Sequence, residues 1–135
     1  MDMKLELVFV PVSDVDRAKA FYTEKLGFHA DIDRTIPDGR RFVQLTPPGS
    51  GCSIAIGKGI TDMAPGSLHP GSLHSLLLVV PDIRAAYESL ARKGVQVTEP
   101  ERQPWGAIHA DLTDPDGNRW TLQQLLRDQP AESHP

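Results

Sequence analysis

His109 and Asp111 stand two apart in Ala107-Ile108-His109-Ala110-Asp111-Leu112-Thr113, a run that alternates as a strand does. Residues two apart on a strand share a face. A carboxylate so placed can orient an imidazole as a general base. The same pattern also suits a polar pair that only lines a binding cavity, because same-face neighbours along one strand often stay too far apart for a direct bond. Both readings are open on the sequence. Cys52 is the only cysteine. It lies in a strand-like run with no activating partner beside it, so it reads as a buried structural thiol rather than a nucleophile.

The composition narrows what such residues can be part of. The 135 residues carry 14 basic and 18 acidic side chains, a net charge of −4. That length fits one domain with a core of its own. Hydrophobic content of 39% and charged content of 24% are ordinary for a globular protein. No apolar run approaches the roughly 18 residues of a membrane helix. The opening Met-Asp-Met-Lys-Leu-Glu-Leu is acidic and alternating, unlike a secretory signal. A single cysteine excludes an internal disulfide and a cysteine-built zinc site. The absence of a Lys/Arg cluster argues against a nucleic-acid partner. A cytoplasmic, single-domain protein is the expectation.

The elements that must position these residues come as a repeat. At a shift of about 68, Leu5 matches Leu73, Val8 and Val10 match Leu76 and Leu78, Val12 matches Val80, Asp14 matches Asp82, and Ala18 matches Ala86. A weaker echo pairs Leu45-Thr46-Pro47-Pro48 with Leu112-Thr113-Asp114-Pro115. Each copy opens with an apolar run predicted as a strand, residues 4–12 and 74–80. Ser13 or Asp14 can cap the helix that follows the first run, and Asp82 the second. Val15, Ala18, Phe21 or Tyr22, and Leu26 give one apolar stripe; Ile83, Ala86, Tyr87 and Leu90 give the other. Gly27 and Gly94 stand where each helix should end. Three further strands are predicted in each copy, at about 28–33, 41–46 and 52–57, then 95–99, 107–113 and 119–125. Pro47-Pro48-Gly49 and Asp114-Pro115-Asp116-Gly117-Asn118 supply turns between the last two strands of each copy. The fold class is α+β, with two tandem βαβββ modules in one domain spanning 1–126. Module one covers about 4–57 and module two about 74–125. The Gly/Pro-rich 58–73 is either a connector or a functional loop, and 127–135 is expected to be a frayed tail.

Val12-Ser13-Asp14, Ala20-Phe21-Tyr22, Lys25-Leu26-Gly27-Phe28 and the Asp-Pro-Asp-Gly-Asn turn at 114–118 resemble the vicinal oxygen chelate superfamily. This is the group of glyoxalase I, extradiol dioxygenases, fosfomycin-resistance enzymes and bleomycin-resistance proteins. The resemblance runs from about residue 5 to 125. It implies that the curved mixed sheets of the two modules form a ligand-holding cup, and that the protein is a homodimer. Fold alone does not choose among the chemistries of the group.

In the enzymatic members, the resemblance implies a divalent metal in the cup, held by His, Glu or Gln and acting as a Lewis acid. The corresponding slots can be counted here. The first lies five residues before Val12, at Leu7, and its repeat equivalent is Ser75. The last lies four residues beyond Gly117, at Thr121. The fourth falls within Ser53-Ile54-Ala55-Ile56-Gly57, which holds no acid, amide or imidazole. An aliphatic side chain cannot coordinate a metal, and neutral hydroxyls are weak ligands. The usual metal site, and with it any cofactor, is therefore expected to be absent. One alternative stays open: a register shift of one residue would turn Glu6 and His74 inward as a metal pair.

With Leu7 and Ser75 setting the inward parity, the cup lining is expected to comprise Leu7, Phe9, Phe42, Gln44, Ser75, Leu77, His109, Asp111, Arg119, Thr121 and Gln123. Trp105, in Gln103-Pro104-Trp105-Gly106, is similar in position to an aromatic group of bleomycin-resistance-type proteins that stacks on a flat ligand at the cup mouth. Packing between sheet and loop is the competing role for that indole. An apolar, aromatic lining with a few polar groups suits a small, partly aromatic organic ligand bound without a metal. The alternative is a lyase, isomerase or dioxygenase-like enzyme, metal-dependent through Glu6 and His74 or metal-free through His109 and Asp111.

Overall fold

Alternating apolar residues generate strands only as far as a neighbouring strand can pair with them, and that limit shortens both opening runs. In the computed structural model, which describes residues 1–59 and 68–126, β1 is Leu7–Phe9 and β5 is Leu76–Val79. The first ladder matches Leu7, Val8 and Phe9 to Ser53, Ile54 and Ala55 and ends there. Leu5 and Met3, with no strand opposite, are 68% and 84% exposed. The remaining elements are α1 (Val15–Ala20), β2 (His29–Thr35), β3 (Arg41–Thr46), β4 (Ser53–Lys58), α2 (Ile83–Arg92), β6 (Glu101–Gln103), β7 (Ala107–Thr113) and β8 (Arg119–Leu125).

The strands form two four-stranded sheets of the same topology, β1-β4-β3-β2 and β5-β8-β7-β6. In each, the strand before the helix pairs in parallel with the last strand of its module, and the other pairs are antiparallel. This is the tandem βαβββ arrangement, with two mixed sheets. The chain divides into two compact units, Met1–His74 with Asp114–Asn118, and Ser75–Thr113 with Arg119–Pro135. Among the described residues, no helix is long and apolar enough to cross a membrane. Most of the 58–73 connector (residues 60–67) and the 127–135 tail lie outside the described residues.

In the first unit, Asp14 rather than Ser13 caps α1. Its Oδ1 accepts from the Arg17 N–H at 3.0 Å, while the Ser13 hydroxyl donates to Asp116 Oδ1 at 2.5 Å. Asp82 does the same for α2, accepting from the Ala85 N–H at 3.0 Å. The helix of the first unit runs on as a π-helical turn, Phe21–Lys25, in which the Leu26 N–H reaches the Phe21 carbonyl at 3.3 Å. Tyr22, not Phe21, takes the buried place. It joins Val10, Ala18, Phe28, Val43, Leu45, Ile54 and Ile56 in a core between helix and sheet. The second unit buries Ile83, Leu90, Ala110, Leu112, Trp120 and Leu122 in the same way. Such burial is the main stabilising term, at about 25 cal/mol for each Å² of apolar surface removed from water.

Two expectations fail in ordinary ways. The predicted strand at 95–99 makes only an isolated bridge, Val97 to Leu112, and the strand in that position is Glu101–Gln103. Pro100 lies between them and has no N–H to donate. The pairing slips by one residue across it, from Val97 opposite Leu112 to Glu101 opposite His109. Cys52 is half-buried rather than buried, because it stands one residue ahead of β4, outside the ladder.

Candidate functional site

Because each helix covers one face of its sheet, the strand residues of opposite parity are left on the open face. In the second unit the register puts them in rows. Val79, Gln123 and His109 lie side by side across β5, β8 and β7, and Leu77, Thr121 and Asp111 form the next row. Arg119 follows, opposite Thr113. Leu77 and Val79 remain 48% and 61% exposed. Ser75 is exposed just ahead of β5, two residues before Leu77.

The direct cross-strand neighbours decide how the polar groups pair. His109 Nε2 is 2.8 Å from Gln123 Oε1. With that oxygen as acceptor, Nε2 carries the proton and Nδ1 keeps the ring's lone pair. Asp111 does not reach His109. Its Oδ2 accepts from Arg119 Nη2 at 2.6 Å and its Oδ1 from the Thr121 hydroxyl at 2.7 Å. Its backbone N–H is held by the Thr98 hydroxyl at 2.8 Å. Partial burial by itself would raise the Asp111 pKa. The bonds from Thr121 and Arg119, with the nearby positive charge, outweigh it and hold the carboxyl below its ordinary value. The expectation that Asp111 could orient the imidazole is thereby corrected: Gln123 is the ring's partner, since it stands directly opposite on β8, whereas Asp111 lies along the same strand.

Trp105 is 60% exposed and meets His109 edge-on, with ring centroids 5.6 Å apart and planes at 68°. It is not packed away between sheet and loop. The second unit thus presents an exposed indole, an imidazole fixed by an amide, two exposed aliphatic side chains and an Asp–Arg–Thr cluster on one face.

The open face of the first unit is built by the same parity. Phe9, Ala55, Gln44 and Ile32 form one row, and Gly57, Phe42 and Arg34 the next. Leu7 lies beside Ser53. The Gln44 amide donates to Ser53 Oγ at 3.2 Å, Ser53 Oγ is 2.6 Å from Thr46 Oγ1, and the Thr46 hydroxyl bonds Asp31. The metal slots counted from the sequence therefore present Leu7, the small residues Ser53, Ala55 and Gly57, the exposed Ser75, and a Thr121 whose hydroxyl is given to Asp111. None is a carboxylate or an imidazole, so this donor set does not fit a divalent metal. Among the described residues, no three His, Cys, Asp or Glu side chains are grouped so as to hold a metal ion. Glu6 shares strand parity with Val8 and the fully buried Val10, opposite to the half-exposed Phe9. His74 is exposed, with Nε2 3.1 Å from the Gly71 carbonyl. The one-residue register shift that would turn Glu6 and His74 inward is not the one adopted.

Sequence reasoning missed Ile32, Arg34 and Ile36, which line a concavity on the first unit together with Phe42. Their period-two alternation was a usable signal. It also missed the buried network of the Asp-Pro-Asp-Gly-Asn turn. There the carboxyl of Asp114 accepts from the Tyr22 hydroxyl (2.7 Å), the Asn118 amide (2.8 Å) and the backbone N–H groups of Asp116 and Asn118 (2.9 Å each).

Residues 4–122 match the family described as the Glyoxalase/Bleomycin resistance protein/Dioxygenase superfamily. Among solved structures, the chain is 38% identical to TnmS3, an antibiotic binding protein from Streptomyces sp. CB03234, over 92% of this chain and 97% of that one, with a TM-score of 0.80. It is 39% identical to a glyoxalase/bleomycin resistance protein from the same organism, over 90% of this chain and 100% of that one, with a TM-score of 0.75. It is also similar to the uncharacterized protein YetH of Bacillus subtilis, at 28% identity over 128 residues, which are 92% of this chain and 100% of YetH. With a family match over nearly its whole length and a sheet order that repeats in both modules, the chain belongs to the glyoxalase/bleomycin resistance protein/dioxygenase superfamily.

Proposed function

We propose that this protein binds a small, partly aromatic organic molecule of the antibiotic type, non-covalently and without a resident metal, on the open face that carries Trp105 and His109. The observation that carries this reading is the pairing of a 60% exposed Trp105 with an edge-on His109 held in place by Gln123. A large exposed indole beside exposed Leu77 and Val79 is costly to leave in water and gains from being covered, at about 25 cal/mol for each Å² buried. Ring stacking adds roughly 0.5–1.5 kcal/mol. Gln123, Thr121, Arg119 and Asp111 then fix the orientation of a ligand's polar substituents, as Phe42 and Gln44 do on the first unit's own face. The description of TnmS3 as an antibiotic binding protein points the same way. The acid–base alternative through His109 and Asp111 lacks an orienting carboxylate, since both Asp111 oxygens are engaged elsewhere. A cytoplasmic setting and a homodimeric assembly belong to the same proposal and rest on the family resemblance.

The test is a titration of untagged, chelator-dialysed protein with a panel of polycyclic aromatic antibiotics, followed by tryptophan fluorescence. Trp120 is only 3% exposed and serves as the internal reference. Quenching that disappears in Trp105→Phe, weakens several-fold in His109→Ala and returns the ligand chemically unchanged supports sequestration. A ligand recovered as a new compound, or binding that requires added manganese, nickel, zinc or iron, overturns it.

A further inference from the structure

The first unit carries a second feature with the makings of a site, distinct from the face that holds Trp105. Ile32 and Arg34 on β2 lie directly across from Gln44 and Phe42 on β3, so all four share one face. With Ile36, Arg40 and Arg41 they enclose a concavity of about 370 Å³, within the usual range of small-molecule pockets. Its floor is apolar, and Ile32 stays 41% exposed.

Three guanidinium groups line it, and their bonding differs. Arg41 is held by Asp33 at 2.8 and 3.0 Å and by Asp16 at 2.8 Å. Arg40 is held by Asp38 at 2.9 Å. Arg34 has no hydrogen bond or ion pair among the described residues. The two partnered arginines brace the structure around the concavity. Arg34 braces nothing, and its five N–H donors are available beside an aromatic floor. A guanidinium binds a planar or tetrahedral acid group through two parallel bonds, which a lone ammonium cannot reproduce.

We propose that this concavity binds a planar aromatic acid, with its rings against Phe42, Ile32 and Ile36 and its acid group on Arg34. Shape selects a flat hydrocarbon body, and the unpaired cation selects the anionic substituent. The inference does not depend on the ligand of the second unit's face.

A matched pair of dyes separates the two contributions: anilinonaphthalene sulfonate, and N-phenylnaphthylamine, which has the same rings without the sulfonate. The expected result is that the wild-type protein binds the sulfonate about tenfold more tightly than the neutral amine. Arg34→Met should abolish that preference, weakening the sulfonate about tenfold and leaving the amine within about twofold, as loss of a charge-assisted contact requires. Arg34→Lys should keep part of the preference, and Trp105→Phe all of it. Since Arg34 makes no bond in the fold, the melting temperature of Arg34→Met should match wild type, and a large drop overturns the premise. Sulfonate binding unchanged in Arg34→Met also overturns the proposal. Loss of sulfonate binding in Trp105→Phe alone places the dye on the other face, which sinks this inference and leaves the proposed function standing.

Discussion

Tyr22→Phe deletes one oxygen from the most fully buried polar network in the first unit. Tyr22 and Asn118 have no exposed surface, and Asp114 is 4% exposed. The Tyr22 hydroxyl donates to Asp114 Oδ2 at 2.7 Å. Without it, Oδ2 still accepts from the Asn118 amide and Oδ1 from two backbone N–H groups, so the carboxyl is short of one donor rather than stranded. The cost should fall at the low end of the range for an impaired buried polar group, about 1–1.5 kcal/mol. Asp114→Asn is worse, because either amide orientation sets an N–H₂ group against existing donors: Asn118 on one side, the two backbone N–H groups on the other. That conflict should cost about 2–3 kcal/mol. For a chain of this length, 1 kcal/mol moves the melting temperature by roughly 3–5 °C. The expected drops are therefore about 3–7 °C for Tyr22→Phe and about 6–15 °C for Asp114→Asn. Circular dichroism melts and urea titrations of both variants and the double variant measure them. The double variant should fall short of the sum by about 1 kcal/mol, since the two side chains share one bond. A Tyr22→Phe shift below about 1 °C, or strict additivity, would refute the argument that this bond is structurally significant.

Two other expectations follow from local geometry and charge. Gly71 has φ +81°, and a Cβ there would lie 2.2 Å from the Asp116 carbonyl oxygen; Gly71→Ala should therefore lower stability by more than the roughly 1–3 kcal/mol of backbone strain alone, read as a melting-temperature loss above about 5 °C. Hydrogen bonds from Arg41, then Lys19, hold the Asp33 carboxyl well below the usual carboxylate range. Its folded value lies below the unfolded value of about 3.9, so its contribution is present above that pH and lost as pH falls toward the folded value. Asp33→Asn should thus be less stable at neutral pH and lose less on acidification below about pH 4, and parallel acid-denaturation profiles for the two proteins would contradict this.

The parts of this protein legible in its sequence are those set by a few neighbouring residues. Asp14 and Asp82 cap their helices because a side-chain oxygen three residues ahead of a free N–H reaches it in any chain. The bounds of β3, β7 and β8, and the common parity of His109 with Asp111 and of Thr121 with Gln123, follow from the period of two along a strand. The repeat made the tandem topology readable before any strand was paired. What tertiary structure decided is which group meets which. His109 finds Gln123 and Asp111 finds Arg119 and Thr121 because the β7–β8 register sets those residues opposite one another, and no pattern within either strand specifies a register. The same holds for β6, displaced past Pro100 to Glu101–Gln103, and for Asp114, whose partner Tyr22 lies on a helix far away in sequence. Arg34 is free, while Arg40 and Arg41 are bound, only because of where three aspartates come to rest. Local periodicity says which way a side chain points; what it meets there depends on chain segments brought together by folding.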